Sequence, residues 1–307
     1  MGTQPQVSAE VAAALADGRA VVALESTILA HGLPPGRNRE VAARVERVVR
    51  DAGAVPATIA VLDGRPVIGL DDQQLDRVCD PAAGLVKLSR RDLGPAIALG
   101  RDGATTVAAT ASLAARAGIG VFATGGLGGV HRGGNWDVSA DLGVLAETPV
   151  LVVCSGVKSV LDIGATLELL ETSSVPVLGY RTDRFPAFYL RESEFTVPWR
   201  VDDPKQAAEA VRAHREYAPG QAGVLLANPV PVEHEMDREL HDRLLAEGLE
   251  LLVTRKIRGK DVTPVLLEHF HSASGGVSLD TNEQLVLSNA LVASTVAVEL
   301  AAVELTR

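Results

Sequence analysis

Glu25 and Lys158 carry reactive side chains shortly after apolar segments. Glu25 directly follows the apolar residues 20–24, and Lys158 follows the run 150–154 and the tripeptide Ser-Gly-Val. A carboxyl group at such a place is partly buried, which raises its pKa and suits it to donate a proton. A lysine that begins a helix lies at the positive end of the macrodipole, which favours the neutral, nucleophilic amine. Each residue alone also fits a role without chemistry: Glu25 could cap a loop, and Lys158 could be an exposed surface charge.

The glycine-rich segment 124–129 brings backbone N–H groups together in a way that suits a phosphate. His131 and Arg132 follow it and add side-chain donors. The segment lacks the third glycine of the dinucleotide fingerprint, and no Gly-Lys-Ser/Thr follows it as in a Walker A loop. A tight turn without a ligand is the alternative interpretation.

Two further groups of residues have both a structural and a functional interpretation. The run Asp137-Val138-Ser139-Ala140-Asp141 precedes an apolar stretch, so its polar residues either cap a helix or supply oxygen ligands to Mg²⁺ or Mn²⁺. Lys87 is a lone cation among apolar residues and therefore needs a partner, either an internal acid or an anionic ligand.

Short β-branched runs alternate with helical stretches along the chain. Strands are predicted at 20–24, 58–62, 105–109, 120–123, 150–154, 175–178 and 223–227. Helices are predicted at 39–52, 112–117, 159–171, 205–217 and 234–247. This alternation predicts a mostly parallel sheet sandwiched by helices, in one domain that spans residues 1–307. Several strands end in polar clusters, which meet at the carboxyl edge of such a sheet.

Composition excludes several classes of protein. The net charge is −10 and the densest basic feature is the pair Arg90-Arg91, so a nucleic-acid partner is not expected. The apolar C-terminal stretch 285–305 contains Asn289, Ser294, Glu299 and Glu304, which favour a buried or interfacial helix over a membrane span. The N-terminus lacks the apolar segment of a secretory signal, so a cytoplasmic protein is expected.

Six ordered blocks of the sequence together resemble the pseudouridine-5′-phosphate glycosidases, also called indigoidine synthase A-like proteins. These blocks are ALESTILAHGLP (23–34), FATGGLGGVHRG (122–133), DVSADL (137–142), VVCSGVKSVLDI (152–163), the stretch GY-RT-DRFPAFY (179–189) and GKDVTPVLLEHF (259–270). The resemblance spans nearly the whole chain. It implies a three-layer α/β/α sandwich with a mostly parallel, mixed central sheet.

The resemblance also implies roles for single residues. It implies a proton donor at Glu25, a nucleophile at Lys158 and a metal-linked carboxylate at Asp137. The residues that it implies in substrate binding are Lys87, Val107, Thr124, His131, Ser139, Ala140, Asp141 and Asn282. Asn289 is a second candidate for the substrate-contacting asparagine.

The activity that the resemblance implies is the reversible cleavage of pseudouridine 5′-phosphate into uracil and ribose 5-phosphate. A divalent cation such as Mn²⁺ and a homotrimeric assembly are implied as well. Two alternatives share the same residues: another enzyme that forms a Schiff base with a sugar phosphate, such as an aldolase, and a non-catalytic phosphosugar-binding protein. A nicotinamide oxidoreductase is disfavoured by the incomplete glycine fingerprint.

Overall fold

The structure is a computed structural model that describes residues 4–132, 136–158, 160–218, 220–257 and 262–304. Residues 259–261 of the last family block lie outside these ranges. The strands are β1 Gln6–Val7, β2 Val21–Leu24, β3 Val55–Leu62, β4 Arg65–Ile68, β5 Val86–Leu88, β6 Gly103–Thr105, β7 Val121–Ala123, β8 Val130–His131, β9 Leu151–Cys154, β10 Leu161–Asp162, β11 Val177–Tyr180, β12 Trp199–Val201 and β13 Val224–Ala227.

Helices follow most of these strands, as the alternating sequence pattern predicts. They are α1 Ala9–Ala16, α2 Arg37–Asp51, α3 Asp72–Cys79, α4 Leu93–Ala98, α5 Val107–Arg116, α6 Ala140–Glu147, α7 Ile163–Thr172, α8 Pro204–Tyr217, α9 Arg238–Arg255, α10 Val262–Ala273 and α11 Val277–Glu304. Thr106, Ser139 and Asp162 cap α5, α6 and α7, and each side chain accepts a hydrogen bond from the first helical turn.

Within the described residues, one large mixed sheet forms the middle layer. Seven neighbouring strands run parallel in the order β3-β2-β7-β9-β13-β11-β12, and β4 and β6 pair antiparallel with β3. The central strands β2, β7, β9 and β13 are short and buried on both faces, as parallel strands normally are. The predicted fold class is confirmed.

Alternating side chains of each strand build two separate cores. On β2, Val21 and Ala23 join the core formed with α1, α5, α6 and α7. Val22 and Leu24 join the core formed with α2, α8 and α11 on the opposite face. The period of two along the strand therefore places one apolar core on each side of the sheet, which gives three layers.

The C-terminal helix α11 is buried over much of its length. By length and composition it could cross a membrane, but 56% of its most apolar stretch is buried inside the protein. It packs against β2, β7, β9, α2 and α8. The C-terminal stretch is thus a core helix of the fold, in agreement with the interpretation of its sequence.

Two local predictions are wrong. The predicted strand 105–109 is instead the end of β6 and the start of α5, because Thr106 caps a run rich in alanine, which favours helix. The helix predicted at 159 begins only at Ile163, where the Asp162 side chain accepts a hydrogen bond from Ala165 N at 2.9 Å. Lys158 therefore lies in a loop, and the macrodipole argument does not apply to it.

Candidate active site

A cavity of about 400 Å³ opens at the carboxyl ends of the central strands, a size typical of sites for small molecules. The predicted site residues in its wall are Glu25, Lys87, Val107, His131, Asp137, Ser139, Ala140, Asp141, Lys158 and Asn282. Residues from distant parts of the chain thus meet at the edge of the sheet where ligands bind in α/β folds.

Glu25 lines the cavity and lies one residue beyond β2. Its side chain keeps an opening to the cavity and is otherwise enclosed by protein. Burial raises the pKa of this carboxyl group, while the charge of Lys158 and a hydrogen bond from Thr124 Oγ1 oppose the rise. Thr124 itself is buried and is not part of the cavity wall. Thr124 therefore positions the Glu25 carboxyl group through a hydrogen bond without lining the cavity itself. The raised pKa of Glu25 suits this residue to donate a proton.

Lys158 is held by its backbone, which leaves its side chain to the cavity. Its N–H donates to Leu127 O at 3.2 Å, and its own carbonyl accepts from Leu161 N at 2.9 Å. Gly156 turns the chain towards Lys158 with a φ of +76°, and a Cβ on Gly156 would lie 2.0 Å from Pro186 O. Only glycine fits this turn, so the approach to Lys158 is set by close backbone packing.

Hydrogen bonds inside the protein occupy much of the glycine-rich segment. The N–H groups of Leu127 and Gly128 donate to Gly156 O and to Asp141 Oδ2, each at 2.9 Å. A Cβ on Gly128 would lie 2.3 Å from Ser139 Oγ, and one on Gly126 would lie 2.5 Å from the Phe188 ring. These glycines therefore permit close packing of the segment against its neighbours.

Asp141 joins two elements of the cavity wall. Its carboxylate accepts from Gly128 N through Oδ2 and from Ala108 N, in the first turn of α5, through Oδ1 at 3.0 Å. Ser139 caps the helix that begins at Ala140, and its hydroxyl accepts from Asp141 N at 3.3 Å. The helix cap considered from the sequence is thus present, and it fixes Asp141 where it bridges the glycine-rich segment and α5.

The structure separates the two candidate asparagines. Asn289 is fully buried, and its amide bonds to Thr124 O at 2.8 Å and Asn228 Nδ2 at 2.9 Å, among other groups. Asn282 is also buried but lines the cavity, and its Oδ1 has no hydrogen-bond partner among the described residues. An unpaired buried acceptor is costly unless a ligand supplies a donor. Asn282 is therefore the better candidate for a substrate contact.

His131 and Asp137 lie together at another part of the wall. His131 N donates to Asp137 O at 2.8 Å, which joins two of the segments singled out in the sequence. Burial lowers the pKa of the His131 ring, and the charge of Asp137 opposes that shift. A ring that is neutral at pH 7 both donates and accepts hydrogen bonds.

The cavity wall also contains residues that the sequence analysis did not select. They are His31, Ser89, Arg91, Thr106 and Phe188, among others. His31 lies in a single π-helical turn, Ile28–Gly32, and burial lowers its pKa. His31 and Phe188 stand inside family blocks quoted above, whereas Ser89 and Arg91 stand beside Lys87 without any motif of their own. The strand that carries Lys87 was not predicted, so its neighbours were overlooked.

Comparisons with known proteins agree with this site. The family described as Indigoidine synthase A like protein matches residues 10–299. A protein from Salinispora tropica named pseudouridine-5′-phosphate glycosidase is 56% identical over 295 residues, which cover 95% of this chain and 91% of the relative. A protein of the same name from Streptomyces griseus is 56% identical over 302 residues, which cover 97% and 93%.

Two solved structures share the fold over essentially the whole chain. The prealnumycin C-glycosynthase AlnA in complex with ribulose 5-phosphate is 42% identical, with a TM-score of 0.91 and 100% of both chains covered. An indigoidine synthase A-like protein from Thermotoga maritima is 35% identical, with a TM-score of 0.88 and 97% of both chains covered.

The carboxyl edge of the parallel sheet brings a protonatable carboxyl group and a lysine together in one cavity. This arrangement defines an α/β enzyme that acts on small molecules. The match of the family over 290 of the 307 residues makes this assignment specific. The chain belongs to the indigoidine synthase A-like family, as the resemblance implied.

Proposed function

We propose that this protein cleaves the carbon–carbon glycosidic bond of pseudouridine 5′-phosphate, reversibly, to give uracil and ribose 5-phosphate. The observation that carries the proposal is that Glu25 and Lys158 line one cavity, in a chain more than half identical to proteins named for this activity. The relative that binds ribulose 5-phosphate supports a five-carbon sugar phosphate as ligand.

Opening of the ribose ring comes first. Glu25 donates a proton to the ring oxygen while the neutral amine of Lys158 attacks C1′, so that the C1′–N bond forms as the C1′–O bond breaks. Burial raises the pKa of Glu25, which keeps the proton on this carboxyl group to a higher pH than in water.

Departure of uracil comes second. The Lys158 nitrogen first loses the extra proton that it carries after the attack, to the Glu25 carboxylate formed by ring opening. The uracil carbon then takes a proton and the C1′–C bond breaks, while the lone pair of the Lys158 nitrogen forms a C1′=N bond. Water then adds to this imine, returns the amine and releases ribose 5-phosphate. The lysine is needed because a carbon leaving group does not depart readily in the two-carboxylate scheme that serves ordinary glycosides.

An aldolase-type Schiff-base enzyme would use the same lysine. The similarity to a C-glycosynthase, which by its name acts on a carbon glycoside, favours the glycosidase over the aldolase. A non-catalytic phosphosugar-binding protein would have no need for a buried carboxyl group beside a lysine. The enclosure of Glu25 next to the charge of Lys158 therefore favours catalysis over binding alone.

We further propose that a divalent cation such as Mn²⁺ binds through Asp137. The described residues contain no cluster of three or more His, Cys, Asp or Glu side chains suited to a metal. Asp137 lines the cavity, and one carboxylate with several waters is an ordinary way to hold Mg²⁺-like ions. The residues thus fit a cation shared with the substrate, which would neutralise anionic charge there. Asp137→Ala is expected to remove most activity, and added Mn²⁺ should not restore it.

Assembly as a homotrimer and a cytoplasmic location complete the proposal. The family resemblance supports the trimer, and light scattering of the purified protein tests it. A particle of about 96 kDa is expected, three times the 32.1 kDa of the chain.

The decisive experiment for the activity is release of uracil from pseudouridine 5′-phosphate by purified, folded protein with Mn²⁺. The reverse assay uses uracil and ribose 5-phosphate, from which only a pseudouridine-forming enzyme makes a carbon–carbon nucleoside. Absence of both reactions in folded protein would refute the proposed function.

A further inference from the structure

A second cavity, of about 310 Å³, lies beside β11 at the carboxyl edge of the sheet. Four of the residues that line it are arginines, Arg181, Arg184, Arg191 and Arg200, so we call it the arginine pocket. It shares no wall residue with the candidate active site among the described residues. The connection from β11 to β12 and β12 itself supply nearly the whole wall, and because the two strands pair in parallel these residues meet at one place.

Three of these arginines are held in place by main-chain carbonyl groups. Each guanidinium group donates one hydrogen bond to a backbone oxygen: Arg181 to Asp202 at 2.9 Å, Arg184 to Glu194 at 2.9 Å, and Arg191 to Val230. A carbonyl group is a neutral acceptor, so it fixes the orientation of the guanidinium group without cancelling its charge. A guanidinium group has five N–H donors, so a single carbonyl bond leaves donors for a ligand.

Arg200 has the opposite arrangement and provides an internal comparison. Its guanidinium group binds Asp202 Oδ1 at 2.7 Å and Asp183 Oδ2 at 2.8 Å, so two carboxylates surround one positive charge. Among the described residues, the other three arginines of the pocket form no ion pair with a carboxylate. Glu192 also lines the pocket, but these three arginines outnumber it. The arginine pocket therefore retains an excess of positive charge.

The rest of the wall restricts the ligand to a compact anion. In the part of the chain that the structure describes, Pro229 is the only apolar residue of the wall. Such a wall offers little apolar surface to a nucleobase or a lipid chain. Guanidinium groups pair with phosphate oxygens through two parallel N–H donors. On a chain with a net charge of −10, a local positive pocket concentrates such anions.

We infer that the arginine pocket binds a compact anion with one or two phosphate groups, at a site separate from the candidate active site. In the bound state the anion joins Arg181 and Arg184, which follow β11, to Arg191, further along the same connection. It thereby compensates three positive charges that no carboxylate pairs within the described ranges. The inference does not depend on the proposed function, because no described residue lines both cavities.

Equilibrium dialysis with labelled inorganic diphosphate tests the site directly. Arg184→Gln and Arg191→Gln should each raise Kd by about 10-fold to 100-fold, because a charge-assisted hydrogen bond to the anion is lost. Glutamine retains an amide donor for the carbonyl group that holds each arginine, so the fold should persist, as circular dichroism checks. Arg184→Lys keeps the charge without the paired donors, and its Kd should lie between those of Arg184→Gln and wild type.

Two further variants separate the charge of the pocket from the total charge of the protein. Glu192→Gln removes a negative charge from the wall, so Kd for diphosphate should fall by about threefold. A purely structural role of the arginines would not predict this tighter binding. Arg243→Ala removes one positive charge outside the pocket, from a side chain of α9 that is 61% exposed. Its Kd should equal that of wild type.

Activity provides a separate measurement on the same variants. KM for pseudouridine 5′-phosphate should stay within about twofold of wild type, because the arginine pocket does not contact the substrate. A larger change would show that the two sites are not separate. If wild type released no uracil, the proposed function would fail, and the dialysis would still decide for or against the anion site.

Three results of the binding experiments would overturn the inference. Diphosphate that bound only in the active-site cavity would give equal affinities in Arg184→Gln, Arg191→Gln and wild type. A loss in Arg243→Ala as large as in the pocket variants would show an effect of total charge alone. A smaller particle in light scattering of the pocket variants would show that this surface contacts another copy of the chain instead of an anion.

Discussion

Two asparagines on one helix show how the two sides of the cavity differ. Asn282 and Asn289 are seven residues apart on α11, about two turns, and both are buried. The Asn289 amide is bonded to three segments of the chain, through Thr124, Ser155 and Asn228. The Asn282 carbonyl oxygen has no hydrogen-bond partner in the part of the chain that the structure describes. The same residue type thus supports the wall at one position and faces the ligand at the other.

Two carboxyl groups show the same division. Asp141 accepts two backbone N–H groups and holds the glycine-rich segment against α5. Glu25 accepts a bond from Thr124, and its burial still raises its pKa. A polar group whose hydrogen bonds are all made inside the protein holds the cavity wall in place. A polar group that lacks a hydrogen-bond partner, or whose ionised form is destabilised by burial, is available to bind or react with a ligand. This rule assigns the region around 124–129, Asp141 and Asn289 to support, and Glu25 and Asn282 to the ligand.

The largest effect is expected at Lys158. Lys158→Ala should lower kcat by about a thousandfold or more, because the nucleophile is lost, while substrate binding persists. Lys158→Arg should be equally inactive, since guanidinium stays protonated. Borohydride added during turnover should trap the sugar on Lys158, as peptide mapping would detect. Lys205→Ala, at an exposed position of α8, serves as control. Mapping of the adduct to Lys87 would contradict the assignment.

The next effect concerns Glu25. Glu25→Gln should lower kcat by about 10²-fold to 10⁴-fold, because an amide cannot protonate the ring oxygen. In wild type, kcat/KM should fall as pH rises through the raised pKa of Glu25, where the acid loses its proton. A pH–rate profile tests this, and a basic limb unchanged in a slow Glu25→Gln variant would assign that limb to another group.

Glu25→Gln, which should lower kcat, should raise the stability of the folded protein at high pH. Burial raises the pKa of Glu25 in the folded state, so the contribution of this group to stability is present at low pH. It is lost as pH rises from the ordinary value of a glutamate through the raised value. Glu25→Gln should therefore have a higher Tm than wild type at about pH 8 and a similar one at about pH 4, where both side chains are neutral. Thermal denaturation at the two pH values measures the difference.

Asn289→Ala should affect stability first. Removal of the amide takes a buried donor from the Thr124 carbonyl and leaves Asn228 Nδ2 with Ser288 Oγ as its remaining partner. The free energy of unfolding should fall by about 2–4 kcal/mol, measured by urea denaturation. Activity should fall with it, because the amide holds the chain next to the loop of Lys158. If Asn289→Ala were as stable as wild type, the structure around residues 124–129 would not depend on the hydrogen bonds of Asn289.

Asn282→Ala is the matched counterpart on the same helix and should have the smallest effect. Its oxygen has no partner to leave behind, so the free energy of unfolding should stay within about 1 kcal/mol of wild type. KM should rise by about tenfold if the amide binds the substrate, since a contact made equally in ground and transition state affects binding alone. An unchanged KM with a large loss of stability would reverse the comparison between the two asparagines.

The order of the elements and the identity of the reactive residues can be predicted from local patterns of amino acids. Apolar runs of period two and helical runs with polar caps predict a parallel sheet between helices, because both signals are local. Glu25 and Lys158 could be selected since each follows such a run and lies in a family block. Local signals failed where propensity and capping competed, at Thr106 and at the start of α7.

Which polar groups have hydrogen-bond partners, by contrast, depends on the packing of the folded chain. Whether a hydroxyl or an amide has a partner depends on segments far apart in the chain, as between Asn289 and Thr124, 165 residues away. It depends equally on close contacts such as that of Gly128 with Ser139. Burial and hydrogen bonding are properties of the packed molecule. For that reason only the fold could distinguish Asn282 from Asn289, which are residues of the same type on the same helix.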